Sequence, residues 1–201
     1  VSQKMSFPNH EQFLQLAIFR LEDVCVRVQE GMESFMRTAA LEKAAEIEAT
    51  FRWLRRRGVM VCLLSDYDRD TTSVLLGRLN WQVEEDMLVQ IVITEQQKQA
   101  NPIQRAMDLA GIPSPRCVIL VADTPRLLRL GHKAGVFFNL GVTSGSRSYQ
   151  ALSGEPHRDL LDHPVQLPNY LLTSLPDLEM IRPGDATGVP RLMLPRPFMG
   201  Q

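Results

Sequence analysis

A small set of polar residues stands at or just past the ends of short apolar runs. Arg20 closes "LQLAIF" (14–19), and Glu22 and Asp23 follow it. Ser65 and Asp66 close "VMVCLL", and Asp123 closes "CVILVA". These residue types can do definite chemistry. Carboxylates can attack an electrophilic centre, take a proton or hold a hard cation. A hydroxyl and a guanidinium can hold a phosphate-like anion. Arginine itself has five donors, no acceptor and a permanent charge, so it can neither attack nor ligate a metal.

These residues need a scaffold that brings strand ends together, and the chain alternates apolar runs with helical patterns. Apolar runs at 14–19, 59–65, 88–94, 117–123 and 136–142 are nearly continuous, as expected of strands covered on both faces. Between them lie helical signals. The segment 33–57 repeats apolar residues at three and four (Leu41, Ala44, Ala45, Ile47, Phe51, Leu54) and predicts one long helix that ends in Arg55–Arg57 and Gly58. Asp68 or Asp70 can cap a helix over 71–79, Asn101-Pro102 opens another, and Thr124-Pro125 opens a third. Residues 170–181 read as a short last strand and a helix. Short connections between strands and helices predict a parallel sheet with helices on both faces, with its site beyond the carboxyl ends of the strands. The expected organisation is an extension over 1–13, one α/β domain over 14–181, and a Pro/Gly-containing tail over 182–201.

Composition narrows the function. With 22 basic and 23 acidic residues the net charge is −1, which does not favour nucleic acid or an anionic membrane surface. No apolar run approaches the ~20 residues of a membrane span, and no secretory leader pattern is seen. Cys25, Cys62 and Cys117 are far apart, odd in number and lack metal-type spacing, so buried reduced thiols in a cytoplasmic protein are expected.

Two long stretches carry a resemblance. "RWLRRRGVMVCLLSDYDRDTTSVLLGRLNW" (52–81) and "QRAMDLAGIPSPRCVILVADTPRLLRLGHKAGVFFNLGVTSG" (104–145) resemble the phosphonatase-like (phosphonoacetaldehyde hydrolase-like) branch of the haloacid dehalogenase (HAD) superfamily, and "YLLTSLPDL" (170–178) matches the end of that domain. The resemblance implies a HAD-like Rossmannoid three-layer sandwich. It also implies four strand-end motifs: a nucleophilic aspartate, a phosphoryl-binding hydroxyl, a basic residue, and acids that hold magnesium. Laid onto this chain, the nucleophile position is Arg20 and the acid two residues on is Glu22. The hydroxyl is Ser65, the basic position falls near Lys98 or Asn101, and the last motif keeps Asp123 while its second acid reads Leu127. The segment before the second strand is too short for a separate cap, so the helix over 33–57 is expected in its place; Lys43 within it is not expected to form a Schiff base.

These departures imply a catalytically inactive protein, used as a binding, scaffolding or regulatory module, with a protein partner or homodimer as possible company. Neither cofactor nor metal is expected; Asp123 and Glu22 would be the ligands if one bound. The alternative is a magnesium-dependent phosphatase- or phosphonatase-like hydrolase, with Glu22, Asp23 or Asp66 as nucleophile or base. Arg20 then has two readings. It replaces the metal, paired with Glu22, Asp23 and Asp123, which requires an Arg20–Asp123 contact. Otherwise it forms an anion pocket with Ser65. His132 reads as a surface or packing residue, and "HRDLLDH" (157–163), with Asp159 and Asp162, as a solvated loop.

Overall fold

The structure, a computed structural model, describes residues 14–28, 37–38, 40–95 and 101–175. Six parallel strands form the central sheet: β1 (Leu16–Arg20), β4 (Met60–Leu64), β5 (Ile91–Ile93), β6 (Val118–Ala122), β7 (Phe138–Val142) and β8 (Asp159–Leu161). Their order is β5-β4-β1-β6-β7-β8. Strand β1 is central, pairing Phe19 with Leu63 on one side and with Val121 on the other. Every residue of β1, β6 and β7 is buried, which accounts for their unbroken apolar character.

Crossovers between parallel strands place the helices on the faces of the sheet. From β1 the chain steps to β4 and β5 through α1 (Ile47–Arg55) and α2 (Arg69–Leu79). It then crosses back through α3 (Pro102–Ala110) to β6 and runs on through α4 (Pro125–Ala134), β7, α5 (Tyr149–Ser153) and β8 to α6 (Leu167–Ser174). Helix α1 packs with α6 and α3 with α4, giving the outer layers of a three-layer α/β sandwich. Phe51 of α1 stacks edge-on between Phe19 (5.1 Å) and Trp81 (5.5 Å). The reversal of winding direction lies between β1 and β6, where such sheets open a crevice.

The helix starts were legible. Asp68, rather than Asp70, caps α2 through Thr71 N–H. Asn101 and Thr124 cap α3 and α4, each with proline in the first turn. Three expectations are corrected. The long helix over 33–57 is not formed: α1 begins at Ile47, after Glu46 in left-handed backbone (φ 55°), and residues 33–36 and 39 lie outside the described residues. Glu42–Lys43 instead forms β3, antiparallel to β2 (Val26–Arg27), with Ala44 N–H donating to the Cys25 carbonyl. Ladder pairing with the segment just after β1 outweighs the helix propensity of the Ala- and Glu-rich sequence. A two-stranded ribbon and a short helix thus fill the described part of the segment between β1 and β4, and Lys43 sits on the ribbon with Glu48 at 2.5 Å. Second, "HRDLLDH" is not a plain loop, since Asp159–Leu161 adds the edge strand β8. Third, residues 170–174 are helical rather than a strand. The extension 1–13, residues 176–181 and the tail 182–201 lie outside the described residues.

Candidate functional site

The strand order β4-β1-β6 sets the carboxyl ends of three strands side by side, with Arg20 in the middle. Arg20 is 9% exposed, and its guanidinium reaches both neighbours. Nη1 donates to Asp123 Oδ1 at 2.7 Å, the contact that the metal-replacement reading requires. Nε and Nη2 both donate to Asp66 Oδ2, at 3.0 and 2.8 Å, and Nη1 also lies 3.4 Å from Asp23 Oδ2. Burial opposes the charge on Arg20, but the carboxylates of Asp123 and Asp66 outweigh it and hold the pKa above its ordinary value.

Asp123 is fully buried. Its second oxygen accepts from the Ser146 backbone N–H (2.5 Å) and hydroxyl (2.7 Å). That approach needs Gly145: a Cβ there would lie 2.4 Å from Asp123 Cβ and Oδ2. Asp23 sits in left-handed backbone (φ 62°), a conformation aspartate tolerates better than most residues, and its Oδ1 accepts from Val28 N–H at 3.3 Å.

Glu22 does not join the Arg20 cluster as expected. It turns to the β4 side, where Oε1 accepts from Ser65 Oγ at 2.6 Å and Oε2 from Asp66 N–H at 3.1 Å. Burial pushes its pKa up, opposed by the Ser65 hydrogen bond, with the nearby Asp66 charge pushing the same way as burial. The alternative reading, an anion pocket between Arg20 and Ser65, meets a Ser65 that is turned to Glu22 and not to Arg20. The one proton of Ser65 goes to Glu22, its oxygen accepts from Tyr67 N–H at 3.2 Å, and Thr72 Oγ1 lies at 2.9 Å. A hydroxyl so committed has no capacity left for a phosphate.

The remaining motif positions carry structural duties. Leu127 is a buried apolar residue of α4. Asn101 accepts from Ile103 N–H at 3.0 Å as the cap of α3, and Lys98 lies outside the described residues. His132 is exposed, and His157 Nδ1 lies 2.7 Å from the Glu155 carbonyl. Among the described residues no group of three or more His, Cys, Asp or Glu is arranged to hold a metal ion.

The magnesium that the resemblance implies does not fit these residues. The space between Asp123 and Asp66 holds the guanidinium, at contact distance from both carboxylates. A dication there would face a fixed positive charge, and the other oxygen of Asp123 is held by Ser146. One participant, Ser146, escapes the sequence reading, although the "TSGS" turn after β7 carries its signal; Asp66 is named at the strand ends but as a nucleophile or base, not as a partner of Arg20.

A parallel six-stranded sheet in this order, with helices on both faces, is a Rossmann-like α/β fold, and it matches the fold of solved HAD-like proteins. Solved structures agree. A HAD family hydrolase from Deinococcus radiodurans R1, with bound phosphate and sodium, superposes with TM-score 0.64 at 14% identity over 82% of this chain and 97% of its own. A hydrolase from Pseudomonas syringae gives 0.62 at 12% over 78% and 97%. A protein described as a haloacid dehalogenase-like hydrolase from Bacteroides fragilis gives 0.62 at 15% over 76% and 99%. These likenesses are of fold. At the level of sequence, no family model matches the chain, and no curated protein matches it.

Proposed function

We propose that this chain is a non-catalytic protein of the HAD-like fold, from the phosphonatase-like branch, that acts in the cytoplasm as a binding or regulatory module without a metal or other cofactor. One observation carries the reading: an arginine stands at the end of the central strand and donates to Asp123, Asp66 and Asp23. A carboxylate nucleophile needs a free oxygen and a cation to neutralise its substrate. Here the central position offers donors alone, and the neighbouring acids are spent on it. Glu22, two residues beyond Arg20, accepts two hydrogen bonds and sits 3% exposed. A protein partner or a second copy remains part of the proposal, since a module without chemistry acts through what it holds.

Hydrolysis of phenyl phosphate by the native protein and by Arg20→Asp, each with magnesium and with EDTA, tests this. The expected result is no magnesium-dependent turnover by the native protein. Activity gained by Arg20→Asp would locate the loss at that residue. Native turnover abolished by EDTA would overturn the proposal in favour of a magnesium-dependent phosphatase or phosphonatase with an atypical nucleophile.

A further inference from the structure

Beside the Arg20 cluster, on the same edge of the sheet, lies a cleft of about 420 Å³ that shares Asp66 and Leu127 with the strand-end positions but draws its cationic residues from outside them. Its walls include Pro102, Thr124, Arg126, Leu127, Arg147 and Asp66. We propose that this cleft binds a small oxyanion ligand, a phosphate monoester or a dicarboxylate, held between Arg126 and Arg147. The proposal deepens the binding-module reading and rests on it only for the fate of the ligand, which is held and not turned over.

Charge carries the argument. Arg126 and Arg147 are exposed and line the cleft, and neither side chain has a hydrogen bond or ion pair with another described residue. A third arginine of the lining, Arg129, is already paired with Glu155. The one acid among the described lining residues, Asp66, is engaged by Arg20 at 2.8 Å. Two cationic forks therefore face a concavity whose negative charge is already matched. Guanidinium groups bind phosphate and carboxylate with paired, directional hydrogen bonds. The first turns of α3 and α4 also line the cleft, through Pro102 and through Thr124–Leu127, so two helix dipoles add positive potential. The volume suits a small metabolite rather than a protein segment.

The Arg20 cluster also explains why this cleft has a fixed shape. Arg20 holds Asp66 on one wall. On the other, Asp123 holds Ser146 by two hydrogen bonds, next to Arg147. The salt-bridge hub is thus the rigid floor from which both walls are positioned.

Calorimetric titration at constant ionic strength tests the proposal, with phenyl phosphate, inorganic phosphate and succinate as probes. The proteins are the native chain, Arg126→Ala, Arg147→Ala, the double variant, and Arg56→Ala as an exposed-arginine control at the end of α1. Saturable one-to-one binding of at least one probe is expected. Each cleft variant should weaken it about tenfold and the double variant should abolish it, while Arg56→Ala stays within about twofold. Preference for the phosphates or for succinate identifies the source of the oxyanion. Binding of none of the three probes, or equal binding by the double variant, overturns the cleft. Phenol release in the same samples separates the two readings. Binding with magnesium-dependent turnover upholds the cleft and sinks the non-catalytic reading; absence of both sinks the cleft alone.

Discussion

Replacing Arg20 by methionine keeps most of the buried stem and removes the charge. Asp123, fully buried, would then keep only the two donors of Ser146 for a full negative charge. Removing one partner of a buried ion pair costs about 3–5 kcal/mol, because the other charge stays behind uncompensated. The Asp66 and Asp23 contacts add little, since the Asp66 side chain is 46% exposed and such pairs are screened by water. Loss of about 3–5 kcal/mol lowers the melting temperature of a chain this size by roughly 6–20 °C. Urea denaturation gives the free energy, and Arg20→Lys is the control: a single ammonium can face Asp123 but cannot also fork onto Asp66, so it should recover part of the loss. A double-mutant cycle with Asp123→Asn then isolates the pair, and a coupling above about 2 kcal/mol is expected. Loss below about 1 kcal/mol for Arg20→Met would refute the reasoning, for it would mean that the pair behaves as a surface contact and that Asp123 does not depend on it.

Further outcomes follow from the same geometry. Gly145→Ala must displace the turn from Asp123 and break both Ser146 hydrogen bonds, so thermal melts should show a loss of about 2–3 kcal/mol. Glu22 has a folded pKa raised above 4.5, so the folded state keeps that proton longer than the unfolded chain; stability falls as pH rises from 4.5 through the raised value. Glu22→Gln should lack that fall in denaturation series across pH, with its amide oxygen accepting from Asp66 N–H and its NH₂ donating to Ser65. Cys25, Cys62 and Cys117 are buried, and burial pushes the Cys25 and Cys62 thiols up, so Ellman's reagent should find no reactive thiol among these three until the protein unfolds. The Arg27–Glu42 pair on the ribbon lies at 3.9 Å with both side chains more than two-thirds exposed, and removing either charge should change stability by less than about 1 kcal/mol.

The core of the fold is legible because parallel strands covered on both faces are written as unbroken apolar runs. Val118–Ala122 and Phe138–Val142 could hardly be read otherwise. Helix starts are legible where a cap and a proline coincide, as at Asn101-Pro102 and Thr124-Pro125. The ribbon is not, since two-residue strands are too short to show alternation and Ala44–Ala45 lend helical character to the segment. Nor is β8, an edge strand whose Asp159 faces water and whose flanking charges imitate a loop.

The site divides along a similar line. Arg20 and Asp123 were legible as strand-end residues from the alternating pattern; that they meet follows from β1 and β6 being neighbours in the sheet, an order the alternation does not encode. That Asp66, and not Glu22, completes the cluster depends on two turns. Asp23 in left-handed backbone swings Glu22 toward β4, and the turn after Leu64 then presents Asp66 N–H to Glu22 and the Asp66 carboxylate to Arg20. No periodicity encodes such turns. The physical consequence reaches past geometry. A bound metal exchanges, and its ligands relax when it leaves; an arginine is covalently fixed to the central strand, and its donors hold Asp66 and Asp123 in place continuously. The brace at this strand end is the permanent charge of Arg20. Any binding role then passes to the surface that the brace positions, where Arg126 and Arg147 still carry charge that no described side chain neutralises.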